Sequence, residues 1–282
     1  MDRKYGESLD HWQTNKKHEN RSGEISKSSI ADVLYHESCR LSSKKRFNEA
    51  LTLINVSIEN EETNFEFHNQ KAIILENLNR YSESSVAYDR ALELNDIDEI
   101  YENKARMLYR WANSLNDKNR ALNLINEAIE ILPVSSKDKY FEKFWYLKGS
   151  IFDCLGDAIE SRRCYLMAEG MRDEIRELDS QIDFLNNSKD TLINITGTRF
   201  YFGMEPFRKG VIVNLIGESD NEHDPDAIRV ELDGETVGYV ANNDYTLIEN
   251  VKSASEIRGL KISRAEVVLI YLDEYVIAKL LE

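Results

Sequence analysis

Cysteine is scarce in this chain of 282 residues, with three: Cys39, Cys154 and Cys164. An odd number with no CxxC pair excludes a disulfide framework, so reduced thiols packed in the helices of a cytoplasmic protein are expected. The five histidines show no metal-ligand spacing. No run of 18 apolar residues occurs, so no membrane span is expected. Residues 1–25 lack the apolar segment of a signal peptide and are expected to form a mobile tail. Positive charge is also short. Lys and Arg number 36 against 51 Asp and Glu, a formal charge of −15. That opposes a broad charge-driven hold on nucleic acid, which needs many cations to replace counterions, and leaves room for a local site. Walker-type loops, GxSxG and HExxH are absent too. The expectation is a protein that is not an enzyme and needs no cofactor.

Glycine and proline are almost missing from the first two thirds, where Leu, Ala, Glu, Asn and Lys dominate. Past Leu192 the glycines crowd in, among them Gly197, Gly203, Gly210, Gly217, Gly234, Gly238 and Gly259. Helix chemistry gives way to strand chemistry. The polar stretch NNSKD, 186–190, marks the change. Three segments follow: the tail 1–25, a helical domain 26–187 and a β domain 188–282.

The helical part repeats. Tyr81, Ser84, Tyr88 and Ala91 follow Phe47, Ala50, Ile54 and Ser57 at 34 residues. The phrase RFNEALTLINVSIEN returns as RYSESSVAYDRALELN, then as RALNLINEAIEILP. A fourth copy, FWYLKGSIFDCLGDAIESRRCYLMAEG, carries Trp145, Gly149, Phe152, Tyr165 and Ala168. Across residues 27–171 this resembles the tetratricopeptide repeat (TPR). His68 and Tyr101 replace its Trp, Ala72 and Ala105 its Gly, and only the third copy keeps a proline, Pro133. The resemblance implies an α-solenoid of helix pairs with a concave groove, closed by a last helix from MRDEIRELDSQIDFLNN. Mapped onto the groove are Glu66, Asn69, Ile73 and Glu76, then Glu99, Glu102, Arg106 and Tyr109, then Lys143, Tyr146, Ser150 and Asp153. An unidentified protein or peptide is the expected occupant. The alternative is a set of solvated faces.

From Leu192 the apolar period is two. Ile193 alternates with Ile195, and Val211 with Val213 and Leu215. Ile228, Val230 and Leu232 follow, then Val267, Leu269 and Tyr271, then Val276 and Ala278. Asp233-Gly234 is a two-residue hairpin signal, because both positions need positive φ. Six short strands in about 90 residues argue a small barrel.

Within this part GTRFYFG, G-x-x-V-x-L, E-x-x-N-x-x-D-P-x-A-I-x-V and VGYVAN resemble the HIRAN domain in its prokaryotic stand-alone form. The resemblance covers nearly all of residues 191–281. It implies an OB-like barrel that binds single-stranded DNA, notably a free 3′ end. By that resemblance Arg199 contacts a phosphate and Phe200 stacks a terminal base. His223 stands where Tyr is usual. Asp224 accepts a hydrogen bond from the terminal 3′-hydroxyl, Asn221 is the loop amide, and Tyr239 flanks the pocket. A base stacked on an aromatic contributes ~1–3 kcal/mol whatever its identity. Residues 190–282 hold nine Lys and Arg against 17 Asp and Glu, 9 − 17 = −8, so few phosphate contacts are available. Arg208, Lys209 and Lys252 are further candidates for them. The plain reading of the same residues is a turn. Asp-Pro opens turns and Asn caps them. Of the consecutive Phe200, Tyr201 and Phe202, at least one is expected to face the core. Asp220, Glu222, Asp224 and Asp226 recur at alternate positions, which is weak support for a metal site. The combined expectation is a cytoplasmic adaptor that joins DNA, probed at a single-stranded end, to a protein partner. The alternative is a protein–protein scaffold without DNA binding.

Overall fold

The computed structural model describes residues 27–243, 245–272 and 274–281. The tail expected over 1–25 lies outside them. Among the described residues nine helices come first: α1 (Lys27–Ser43), α2 (Phe47–Asn60), α3 (Phe65–Asn77), α4 (Tyr81–Leu94), α5 (Asp98–Ser114), α6 (Lys118–Ile131), α7 (Lys137–Leu155), α8 (Ala158–Glu169) and α9 (Arg172–Asn187). Six strands follow: β1 (Leu192–Thr196), β2 (Ile212–Gly217), β3 (Ile228–Leu232), β4 (Glu235–Val240), β5 (Arg264–Tyr271) and β6 (Tyr275–Leu281). A short helix α10 (Ala254–Ile257) precedes β5. This is the α-then-β order read from composition.

Contacts gather the chain into two compact units. One holds residues up to 115 with 123–137, the other 116–122 with 138–282. The composition change at 187/188 therefore falls inside the second unit.

In the first unit the 34-residue period is visible as repeated geometry. Left-handed Lys45 (φ 60°) and Asn79 (φ 58°) turn the chain between paired helices. The amides of Arg46 and Arg80 then donate to the carbonyls of Leu41 and Leu75. The next residues repeat as ion pairs, Arg46 with Glu49 and Arg80 with Glu83. Small residues let the helix pairs cross closely. Ala50, Ser57, Ala72, Ser84 and Ala91 have no exposed surface. Each crossing carries one serine bond to the facing backbone: Ser38 Oγ to the Ala50 carbonyl at 2.9 Å, and Ser84 Oγ to the Ala72 carbonyl at 2.8 Å. Serine and alanine have exchanged places across a 34-residue shift. In the second unit Gly149 is the corresponding small residue, and a Cβ there would meet the Tyr165 ring at 2.8 Å.

The strands close an antiparallel barrel in the order β1-β4-β3-β2-β5-β6. Asp233 (φ 54°) and Gly234 (φ 88°) make the β3–β4 hairpin as the dipeptide predicts. Ile193, Ile195, Val213, Val230, Val237, Val267 and Val276 fill the interior. One expected alternation is interrupted. The register of β5 against β6 shifts between Val267 and Leu269. The extra residue turns the strand over, so Val267 faces the barrel while Leu269 and Tyr271 face outward. There they meet a second apolar layer made with Leu166, Leu178, Ile182 and Leu185 of the helices and with Leu192, Val251 and Ile277. Thus α8 and α9 cover the outside of β5 and β6.

Candidate nucleic-acid interface

After β1 the chain enters a tight loop. Gly197 (φ 72°) and Gly203 (φ 64°) supply the left-handed turns. The amide of Gly203 closes the loop on the Thr198 carbonyl at 2.9 Å. Phe207, with Met204 packed beside it, anchors the far end in the barrel core. This geometry lifts all three consecutive aromatics outward. Phe200 is 74% exposed, Phe202 53% and Tyr201 42%. The expectation that one of them faces the core is corrected, because Phe207 takes that place. The Arg199 guanidinium lies 4.8 Å from the centre of the Phe200 ring, a cation–π contact.

Tyr201 connects this loop to the barrel wall. Its ring centre is 6.4 Å from that of Tyr239 on β4. The Tyr239 hydroxyl donates to Glu218 Oε2 at 3.2 Å. Burial, the Tyr201 hydroxyl and the Glu218 charge push the Tyr239 phenol up to about 12. Glu218 is a hub. The same oxygen accepts from Asn221 Nδ2 at 2.9 Å, and Oε1 lies 2.8 Å from Arg229 Nε. Arg229 also reaches Glu231 at 2.8 Å.

Residues 218–227 join β2 to β3. Asn221 Oδ1 accepts from the amides of His223 at 3.0 Å and Asp224 at 3.2 Å, a side-chain-capped turn. Asp224 Oδ1 accepts from the Asp226 amide at 2.9 Å, and its Oδ2 from Asn242 Nδ2 at 2.8 Å. Asn242 in turn receives the Ser255 amide at 2.8 Å. Asp226 is held by Arg258 and Ser255, which keep its carboxyl below the usual range. His223 is exposed.

Arg199, Phe200 and Tyr239 thus meet through Tyr201, and Glu218 joins them to the Asn221–His223–Asp224 turn. Two members went unread in the sequence. Tyr201 was legible from its place beside Phe200, and Glu218 as the first residue of its motif. Lys252 is exposed and pairs with Glu256 at 2.7 Å. Arg208 and Lys209 are exposed. Among the described residues, no group of three or more His, Cys, Asp or Glu is placed to hold a metal ion, and no helix is long and apolar enough to cross a membrane.

The groove residues divide between the units. Asn69 and Ile73 on α3, and Glu102, Arg106 and Tyr109 on α5, are half-buried. Asn69 Oδ1 is 3.5 Å from Asn103 Nδ2, Arg106 donates to Asn103 at 2.9 Å, and Ser136 donates to Glu102 at 2.7 Å. Glu76, placed on the groove by the repeat, is instead 4% exposed. It is tied to Arg110 at 2.6 Å and Tyr88 at 3.4 Å. The position lies where α3 meets its neighbours, and pairing lets a carboxylate stay there. Tyr146, in the second unit, donates to Glu169 at 3.1 Å and packs 5.7 Å from Tyr165.

A helical-pair array is thus followed by a closed six-stranded barrel, with aromatics raised beside a guanidinium. Residues 189–254 match the HIRAN domain. Several solved structures are similar to part of the chain. MamA is 14% identical over 54% of this chain and 81% of its own, with a TM-score of 0.38. BtubC from P. vanneervenii is 16% identical over 56% and 68%, with 0.40. The Yersinia enterocolitica type III secretion chaperone SycD, solved with a peptide of the translocator YopD, is 10% identical over 43% and 90%, with 0.34. No curated protein matches the chain.

Proposed function

We propose that this protein is a cytoplasmic, non-enzymatic adaptor. Its barrel holds a single-stranded DNA 3′ end and its helical array holds a protein or peptide. The observation that carries the reading is Phe200, a large aromatic left 74% exposed with Arg199 over it. Leaving such a ring in water forgoes ~1.5–3 kcal/mol of burial. Three adjacent exposed aromatics on a glycine-braced loop make sense as a stacking surface. A terminal base would stack on Phe200, displacing or sharing the Arg199 guanidinium, which then turns to a phosphate.

The end-sensing role falls to Asp224. Each of its oxygens already accepts one bond, but a carboxylate has about four acceptor sites. A 3′-hydroxyl can therefore still donate to it, whereas a 3′-phosphate meets like charge. The turn reading and the site reading are compatible, because the bonds that shape the turn also hold the carboxylate in place. Asn221 shapes the turn, His223 offers a second ring face, and Tyr239 with Glu218 supports Tyr201. Asn69, Ile73, Glu102, Arg106 and Tyr109 are the proposed peptide contacts of the first unit, and Tyr146 is the proposed contact of the second.

The test is fluorescence anisotropy of the full chain at low salt, with single-stranded DNA ending in 3′-hydroxyl or 3′-phosphate and RNA as a third arm. The 3′-hydroxyl DNA should bind best. Phe200→Ala should cost ~1–3 kcal/mol. Arg199→Ala should lower the salt slope by about 0.7 per lost contact. A folded chain that binds no oligonucleotide would overturn the DNA half and leave a protein scaffold.

A further inference from the structure

Beside the two ends of the loop 218–227, an open cavity of about 150 Å³ is lined by Gly217 and Ile228 together with Leu215, Ile257, Arg258 and Leu280. Gly217 and Ile228 are the paired residues that bracket the loop. Arg258 reaches Asp226 on the loop itself. A Cβ at Gly217 would meet nothing within 4 Å, and its backbone is outside the left-handed region. Glycine is thus required there by neither strain nor close packing, and the space before it is open.

Cavities with apolar walls and a few polar groups are places where small groups bind. A cavity of roughly 150 Å³ takes one aromatic ring such as benzene. We propose that this cavity receives a pyrimidine base of the bound strand, upstream of the nucleotide stacked on Phe200. The inference rests on the nucleic-acid reading above. That volume matches one ring better than two, so a pyrimidine is preferred to a purine. Leu215, Ile228, Ile257 and Leu280 supply apolar walls for the ring faces. Arg258 donates through the guanidinium hydrogens that Asp226 does not use, and the acceptor is O2, which every pyrimidine carries. The loop then has two DNA contacts, a strand end at Asp224 and a base in the cavity beside its own ends.

The test uses the full chain and a short oligothymidylate with a 3′-hydroxyl. Adenine is placed in turn at the last, second-last and third-last nucleotide. Wild type should lose about 5- to 100-fold in affinity at one penultimate position, the range of one lost base contact, and tolerate adenine at the last. Gly217→Leu, which fills the cavity, should weaken the all-thymidine strand and abolish the positional preference. Leu260→Trp fills it from the rim, where Leu260 is 46% exposed, and guards against a misfolded first variant. Near-UV circular dichroism confirms the fold of each. Wild-type binding with no pyrimidine preference at any position, or a preference that both variants keep, would overturn the cavity proposal and leave end binding standing. Absence of all binding by wild type would instead remove the DNA reading and this inference with it.

Discussion

Replacing Gly238 by alanine tests the seam that closes the barrel. Gly238 lies on β4, next to Tyr239, and β4 pairs with β1 through Ile195↔Val240 and Thr196↔Tyr239. An added Cβ would stand 2.7 Å from the Thr196 carbonyl oxygen and 2.8 Å from Ile195 Cγ2. An ordinary contact is 3.4 Å or more, so the two strands must part by roughly 0.7 Å, and the first obstacle is backbone that cannot rotate away. Strand separation of that size carries ladder bonds of ~2.9 Å past the useful range. Two weakened bonds cost about 1 kcal/mol each, and overpacking adds ~1–3 kcal/mol. Alanine recovers about 0.5–1 kcal/mol of chain entropy. The clash therefore wins, by roughly 2–4 kcal/mol. For a unit of this size the melting temperature should fall by about 5–15 °C. Circular dichroism melts of the full chain read this directly. Gly217→Ala is the control, since the same methyl group there meets open space. A Gly238→Ala melt within about 2 °C of wild type, with near-UV signal intact, would refute the close β1–β4 packing.

Two further outcomes follow from buried polar groups. Glu76→Ala removes a 4% exposed carboxylate that Arg110 and Tyr88 both contact. Because Arg110 is half exposed and can rehydrate, the cost should fall at or below the low end of the ~3–5 kcal/mol for breaking buried pairs, read from urea unfolding. Tyr239 should titrate near 12, and its phenolate absorbance, isolated by subtracting Tyr239→Phe, should rise well above the ordinary tyrosine range. Its folded pKa is raised, so the stability it contributes is complete below the unfolded value near 10 and is lost as pH climbs toward 12. A midpoint near 10 would mean the Tyr201–Tyr239–Glu218 contacts do not form.

Much of this was legible because single residues carry strong local requirements. The 34-residue spacing that places Ala50, Ser84 and Ala91 at helix crossings needs small residues in every copy. Asp233-Gly234 announces a hairpin because both residues must take positive φ. The motif residues Arg199, Phe200, Asn221, His223, Asp224 and Tyr239 come together in two linked groups. What stayed hidden depends on contacts distant in sequence. Nothing local tells that Phe207, rather than one of the three consecutive aromatics, plugs the core. Nor does a period of two reveal a bulge after Val267, since Val267 and Leu269 keep the same spacing whichever face they point to. Glu76 reads as a surface carboxylate until Arg110, 34 residues away, is seen beside it.

The same distinction explains how the change of composition at 187/188 comes to fall inside one compact unit. Composition reports which local structure a segment prefers, whereas a unit is defined by which apolar faces cover one another. The helix α9 ends its polar face in the NNSKD stretch, yet its buried Leu178 and Leu185 belong to the same layer as Leu192, Val251, Tyr271 and Ile277 of the barrel domain. Asn186 and Asn250 add a side-chain bond of 2.8 Å across that layer. Each large side chain there contributes ~1.5–3 kcal/mol by burial, so stripping away Leu166, Leu178 and Leu185 approaches the whole stability margin of an ordinary domain, about 5–15 kcal/mol. The barrel's outer β5–β6 face is apolar because helices cover it, and the bulge that turns Leu269 and Tyr271 outward exists to serve that cover. The barrel and the helices α8 and α9 share this apolar layer, and whatever the barrel binds is held on a body that includes both helices.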